Sequence, residues 1–547
     1  MPAKVGDEDP TFWADAIAAQ VEGPQVVNDS KTPSGTVHVG SLRGVVLHDA
    51  VRRALHDRGT EARFLYGVDD MDPMDSQAHL SGDAASEWMG VPLFRVPAPE
   101  GSDAASYARH FVGGLFLSTF APLGVAPETY WMSECYADGS MDPYIRLTLD
   151  RADRVRAIYL EVSRVAKAND WLAISVICPT CGRIGTTLAT DWDGQTVAYV
   201  CRADLVEWAV GCGASGRVSP FGGRAKLKWN ADWAAKWSLL GVTIEGCGKD
   251  LATAGGSRDR SDAIAREVFQ REPPLDIPYE FLTIGGRKMS TSRGLGATAH
   301  QMTELMPPEL LRFLFLRHKP RRALEFDPAG DAIPGLFDEF DRIASATAGQ
   351  PVRGELPPAP ERIFRMSLVQ EDADPATEGA RFRPPFRHLT LLVQVPGTDM
   401  EARFSAEKGE PLDALEQDIL ARRTFVARAW LDGFAPDRYL VAVRAALPVE
   451  AAGLDAGQRA YLSALADAAQ VERPGAGDGW QDLIFRTAQS LGAASRDAFT
   501  ALYLAFIGRP NGPRAGWLLA SLDAAFVVAR LREAAAPTAA PVPATAG

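Results

Sequence analysis

PQVVNDSKTPSGTVHVGSLRGVVLHDAVRRALHDRGTEARFLYGVDDMD, residues 24–72, is the stretch on which the fold turns. It opens with an apolar run from Pro24 to Val27 and continues in turn formers from Asn28 to Gly35, which predicts a buried strand ending near Val27. From Val39 onward Leu42, Val45, Val46, Val51 and Leu55 recur near the helical period. Arg52, Arg53, His56 and Asp57 fall off that stripe and Gly59 stands at the stop position, so a helix follows. Arg63 to Val68 then reads as a second strand that delivers Asp69, Asp70 and Asp72 at its carboxyl end. Strand, helix, strand predicts a parallel, doubly wound sheet whose ligand sits in the crevice at the strand carboxyl ends.

Working outward, residues 104–120 and 142–170 carry helical spacing, and Val242 to Ile244 and Tyr279 to Ile284 read as later strands of the sheet. Around Cys178 the glycines Gly182, Gly185, Gly211, Gly213 and Gly216 break any long element, as in a small loop-rich insertion. Pro357, Pro358 and Pro360 end a linker that begins at Pro351, and beyond it Leu412–Leu431, Ala456–Ala469, Leu483–Gly492, Phe499–Ile507 and Trp517–Leu531 are helical in pattern. The expected organisation is an α/β Rossmann-like domain at 20–300 with a Cys-rich insertion at 171–225. A helical region at 301–350, an all-α domain at 360–533 and a disordered tail at 534–547 complete it.

The chain has 547 residues, 46% hydrophobic and 23% charged, with 57 basic against 70 acidic side chains, the composition of a packed globular protein. A net charge of −13 argues against a wholly basic surface but leaves room for one basic stripe. The longest uncharged stretch, Phe111 to Pro127, is cut by Gly113, Gly114, Pro122 and Gly124, so no membrane span is expected. Met1 to Pro10 shows no apolar signal region, and a cytoplasmic location follows.

Two segments carry chemistry. Pro33 to Ser41 lies between the first strand and the first helix, where a triphosphate would find backbone N–H groups, a hydrogen-bond donor in His38 and bare backbone at Gly40 for the adenine. Lys288, Met289, Ser290, Thr291 and Ser292 stand in a loop edged by Gly285, Gly286, Gly294 and Gly296, which suits neutralisation of a departing pyrophosphate. No Walker A pattern occurs.

Taken together and in this order, the two segments resemble the His-Ile-Gly-His and Lys-Met-Ser-Lys-Ser motifs of the class I aminoacyl-tRNA synthetases, with Ser41 for the second His and Thr291 for the second Lys. Within that class the resemblance is closest to the class I lysyl-tRNA synthetases. It rests on Pro33–Ser41, Asp69–Asp72, Pro92–Pro97, Lys226–Trp229 with Asp232, Trp233 and Trp237, Gly248–Asp250, Pro278–Phe281 and Phe386–Leu389. Ser30 and Leu251 stand where many members of the family carry Gly and His. The resemblance implies a catalytic domain with a zinc-ribbon-like insertion, a stem-contact region and an anticodon-binding helical domain. The implied reaction is ATP- and Mg²⁺-dependent activation of lysine followed by transfer to tRNA.

His38 and Lys288 are then the expected catalytic residues, and Gly35, His38, Gly40, Ser41, Lys288, Met289, Ser290 and Ser292 the ATP site. The amino-acid site is expected from Thr32, Asp69, Asp70, Trp229, Tyr279 and Glu280, because a buried ammonium on an alkyl stem needs a carboxylate and an apolar wall. Which acid pairs the ammonium stays open. Trp233 and Trp237, at helical spacing from Trp229, read as core, and His48, His56, His79 and His300 read as structural and not functional histidines.

Cys178-x₂-Cys181 and Cys201-x₁₀-Cys212 have the spacing of a structural Zn²⁺ site with a widened second pair; buried thiols are the alternative. Arg312, Arg317, His318, Lys319, Arg321 and Arg322 are candidates for a tRNA-facing surface, and Trp430, Trp480 and Trp517 for base stacking or core. Two other readings remain: a paralogue that activates another amino acid or charges another carrier, and a catalytically silent RNA-binding relative.

Overall fold

The computed structural model describes residues 11–75, 87–284, 298–395, 398–440 and 443–536. Its contacts divide the chain into two compact units, Met1–Phe326 with Ala346–Glu378, and Asp327–Ser345 with Gly379–Gly547.

In the first unit β1 (Gln25–Lys31), β2 (Ala62–Val68) and β3 (Glu128–Trp131) form a parallel sheet in the order β1-β2-β3. Val27 pairs with Phe64 and Lys31 with Val68, and Val68 pairs in turn with Trp131. β1 therefore runs four residues past Val27, through Asn28, Asp29, Ser30 and Lys31, because each of these is matched in the ladder by Leu65 to Val68. Helix α1 (Gly40–Asp57) joins β1 to β2 and buries Leu42, Val45, Val46, Val51 and Leu55. It also buries Arg43, His48 and Asp49, which the helical stripe left unassigned, and Arg53, which was expected off that stripe but is drawn in by Asp49. Ile244 bridges Val27 and Leu275 in parallel, so the expected Val242–Ile244 strand reaches the sheet as single bridges. β9 (Leu282–Ile284) pairs with β10 (Leu324–Phe326) in a separate parallel ladder.

The helical stretch expected at 104–120 is a π-helical turn at Arg109–Phe116 followed by two 3₁₀ turns, and the one at 142–170 is two helices, Asp142–Asp150 and Ala152–Ser163. The second stops at Arg164, whose left-handed φ of 58° ends the ladder. The insertion is all β. β4 (Ile174–Val176) and β8 (Ala225–Leu227) pair antiparallel at its base, and β5 (Thr187–Trp192), β6 (Val197–Cys201) and β7 (Ser215–Val218) form an antiparallel sheet between them. Helix α2 (Trp229–Leu240) follows at once.

The Pro351–Pro360 stretch lies inside the first unit rather than at its border. The reason is the next helix: Pro360–Ser367 buries Ile363, Phe364 and Met366, and the carbonyl of Met366 accepts from Arg312 on α3 (Pro308–Leu316).

The second unit is helical, with Ala414–Gly433, Ala456–Glu472, Gly477–Ser490 and Ser495–Ile507 as its long members. Capping boxes at Asp413 with Glu416 and Asp455 with Gln458 fix two of the starts. The stretch expected as one helix at Trp517–Leu531 is two, because Asp523 caps a new helix at Ala524–Ala535 by accepting from the Phe526 amide. Ala534, expected at the head of a disordered tail, is buried in that helix. Trp430 and Trp480 are buried, which makes them core and not base-stacking groups, while Trp517 is half-buried.

Candidate active site

The turn between β1 and α1 is built by short-range bonds. The Ser34 amide donates to Thr32 O at 2.9 Å, and Gly35 follows with a φ of 110°, a conformation that favours glycine. Val37 and Val39 are buried on either side of His38, which leaves the His38 ring half-buried at the mouth of the helix. The amides of Ser41 and Leu42 turn back onto His38 O and Val39 O at 3.0 Å. Among the described residues a methyl on Gly40 would meet only Leu282, at an ordinary 3.8 Å, so their packing does not require glycine there.

Lys288, Met289, Ser290 and Ser292 lie outside the described residues. Their two flanks do not. Leu282, in the strand that precedes them, packs on Gly40, and Thr298, which follows them, pairs with His38 while the Ala299 amide donates to Val37 O at 2.8 Å. Both ends of the segment that holds Lys288 are thus seated on the turn that holds His38.

Arg43 reinforces this junction. It is fully buried one turn into α1, and its guanidinium donates to the carbonyls of Glu280 (2.5 Å), Phe281 (3.3 Å), Pro320 (2.9 Å) and Arg322 (2.9 Å), the residues leading into β9 and β10. Burial lowers its pKa to about 10, which leaves it charged at neutral pH.

The acids at the carboxyl end of β2 are already matched. Lys236, on α2, donates to Asp69 at 2.6 Å, and the Ser30 hydroxyl adds a bond at 3.2 Å. Lys226, on β8, bridges Asp72 at 3.0 Å and Asp232 at 3.1 Å, and the Thr32 hydroxyl donates to Asp72 at 2.9 Å. Burial would raise the Asp69 carboxyl, but Lys236 and Lys226 hold it below the ordinary value. Asp70 accepts from the amide and hydroxyl of Ser133 at 2.8 and 2.5 Å, and burial pushes it up to about 6. Glu280 pairs with the exposed Lys249 at 2.5 Å.

On α2, Trp229 is half-buried and stacks on Trp233 with ring centres 5.2 Å apart. Trp233 and Trp237 are core, as their spacing predicts, but both also donate through Nε1 to the carboxylate of Glu245, at 2.7 and 2.8 Å, which Asn28 completes at 2.8 Å. His48 is a satisfied structural histidine, as expected: Nε2 accepts from the Gly246 amide at 2.8 Å, so Nδ1 carries the proton and donates to Gly44 O at 2.7 Å. Sequence reasoning missed Arg43, Lys226, Lys236 and Glu245. Their signal is a charged residue inside an otherwise apolar element.

Arg312 leaves the proposed basic surface. It is buried on α3, where it donates to Asp49 at 2.8 Å and to Leu123 O at 3.0 Å. α3 is apolar all round, so its one cation is drawn inward to a carboxylate. Arg321 and Arg322 are exposed.

The sulfur atoms of Cys178, Cys181, Cys201 and Cys212 all lie within 4.8 Å of one another, with 3.7 Å between Cys178 and Cys212 and between Cys181 and Cys201. Zn–S bonds of about 2.3 Å in a tetrahedron place sulfurs about 3.8 Å apart, so the four thiols fit such an ion. Among the described residues no helix is long and apolar enough to cross a membrane.

The chain is similar in sequence to known proteins. The sequence profile of the class I tRNA synthetases (K) matches residues 11–367, and the chain belongs to that family. Among its relatives, lysine–tRNA ligase 1 of Methanosarcina acetivorans is 33% identical over 95% of this chain and 98% of its own length. Lysine–tRNA ligase of Methanosarcina barkeri is 34% identical over 96% of this chain and 98% of its own, and that of Archaeoglobus fulgidus 33% over 95% and 99%.

Proposed function

We propose that this chain activates lysine with ATP and joins it to the terminal adenosine of its tRNA. The observation that carries the reading is end-to-end similarity to lysine–tRNA ligases, 33% over 545 residues, in a chain whose His38 turn receives both flanks of the Lys288 segment.

The chemistry needs no protein nucleophile. The lysine carboxylate attacks the α-phosphorus, the bond to the β-phosphate oxygen breaks, and pyrophosphate leaves with its electron pair. A ribose hydroxyl of the tRNA then attacks the carbonyl and AMP departs. Rate comes from alignment and from charge stabilisation. Gly35, His38, Gly40 and Ser41 hold the nucleotide at the N-terminus of α1, where amide groups and the helix dipole favour anions. Among the described residues no packing demands glycine at position 40, which suits a base resting on bare backbone there. Lys288, with Met289, Ser290 and Ser292, answers the charge that grows on pyrophosphate, and Mg²⁺ bound to ATP would share that charge. Trp229 and Tyr279 wall the lysine stem, with Thr32, Asp69, Asp70 and Glu280 around them.

A structural Zn²⁺ held by Cys178, Cys181, Cys201 and Cys212 would tie the antiparallel sheet of the insertion to β4. The helical unit meets the anticodon, the region after Lys288 meets the stem through Arg321 and Arg322, and the work is done in the cytoplasm. Incubating the chain with total tRNA, ATP and each labelled amino acid in turn tests the proposal. Acid-stable label on tRNA from lysine supports it. Label from another amino acid alone, or from none, overturns it.

A further inference from the structure

We infer that Asp29 is the specificity-determining residue that receives the side-chain ammonium of the amino acid, an inference that rests on the lysine-activating reading above. It follows from asking which buried carboxylate in the crevice has neither a paired cation nor donors to both of its oxygens. Asp69 has Lys236, Asp72 and Asp232 share Lys226, and Glu280 has Lys249. Glu245 is filled by Trp233, Trp237 and Asn28, and Asp49 by Arg53 and Arg312. Asp70 has both its bonds from Ser133.

Asp29 differs. Its residue surface is 92% buried (8% exposed), Oδ1 accepts only the adjacent Ser30 amide at 2.9 Å, and its one ion-pair neighbour among the described residues is His48 Nδ1, 3.7 Å from Oδ2. His48 supplies no charge, since Nε2 is occupied as the acceptor for Gly246 and Nδ1–H is directed to Gly44 O. A buried carboxylate without a cation is costly, and a ligand ammonium supplies one. Burial correspondingly raises the Asp29 carboxyl above its ordinary value.

Asp29 also lies against a residue expected in the amino-acid site. Gly44, on α1, carries no side chain, and the position its Cβ would take lies 2.8 Å from Asp29 Oδ2 and 2.9 Å from the Tyr279 hydroxyl. Acid and phenol thus converge on the bare backbone of α1 at Gly44, where not even a methyl fits, and Tyr279 is a residue that the resemblance places in the amino-acid site. Lys31 stands two residues along β1 on the same face and its charge acts on Asp29 from a distance, but no ion pair joins the two among the described residues.

The test is ATP–pyrophosphate exchange by the full chain with tRNA present, comparing lysine with norleucine, which has lysine's alkyl stem and no ammonium. Asp29→Asn keeps the shape and removes the charge. It should raise the lysine KM about ten- to a hundredfold, abolish most of the preference for lysine over norleucine, and leave the ATP KM unchanged. A lysine KM and a preference equal to those of the parent overturn the assignment, Asp29 then serving Lys31. Gly44→Ala is the second variant, in a helix that favours alanine by about 1 kcal/mol. It should raise the lysine KM and not the ATP KM, and an unchanged lysine KM overturns the assignment by itself. If the parent chain activates no lysine, the functional reading falls; if it does and both variants match it, only Asp29 falls.

Discussion

Replacing Arg43 by Lys tests how the two halves of the site are held together. Arg43 joins α1, which begins at the His38 turn, to the carbonyls of Glu280, Phe281, Pro320 and Arg322. Three of the four contacts are well made, at 2.5, 2.9 and 2.9 Å, and the fourth is long at 3.3 Å. With a charged donor at about 1.5 kcal/mol per good bond, the set stabilises this junction by about 4–5 kcal/mol. A lysine ammonium keeps the charge but lacks the planar fork and reaches only part of the carbonyl set, so about 2–3 kcal/mol is lost. The loss falls on the segments leading into β9 and β10, so amide exchange there should quicken about 30- to 150-fold before the urea midpoint of the whole chain moves comparably. The rate of adenylate formation, read by single-turnover pyrophosphate release, should drop about ten- to a hundredfold, since misplacement of the pocket relative to the nucleotide costs alignment. Unchanged exchange in β9 and β10 with unchanged adenylation would refute the claim that Arg43 couples the two halves.

Other outcomes follow from the same contacts. Lys288→Ala should lower the adenylation rate far more than it weakens lysine binding, and a stopped-flow rate equal to the parent's would contradict that role. The purified chain should carry about one zinc per molecule by elemental analysis, and Cys201→Ser should lose the metal and loosen the insertion to proteolysis near residues 178–212; a metal-free parent would contradict the site. Asp69→Asn leaves Lys236 buried and unmatched and should destabilise the chain by about 3–5 kcal/mol in urea unfolding. Because the folded carboxyl of Asp69 sits below its ordinary value, its contribution is present above the ordinary carboxylate pKa and is lost as the pH falls through the folded value. The parent should therefore weaken on the acid side more than Asp69→Asn does, and parallel acid-unfolding curves would count against the pair.

The order strand, helix, strand was legible because α1 and β2 keep their apolar periods with few interruptions. The tail of β1 was not. Asn28, Asp29, Ser30 and Lys31 are turn formers or polar, and only the ladder with Leu65 to Val68, a contact between distant residues, holds them extended. The same holds for the site. His38 and Gly40 stand out locally, while the seating of Leu282 and Thr298 on that turn is a contact between distant residues. The acids were named correctly as residents of a strand end, but their counter-charges, Lys226 and Lys236, come from β8 and α2 far along the chain. Arg312 was read as surface because a cation in sequence gives no sign of the Asp49 carboxylate that draws it inside.

The most direct test of the whole account is ATP–pyrophosphate exchange with all twenty amino acids, run with and without tRNA. Lysine-dependent exchange, strongest among the twenty and abolished in Lys288→Ala, is the predicted result. Exchange driven by a different amino acid, or none under either condition, would contradict it.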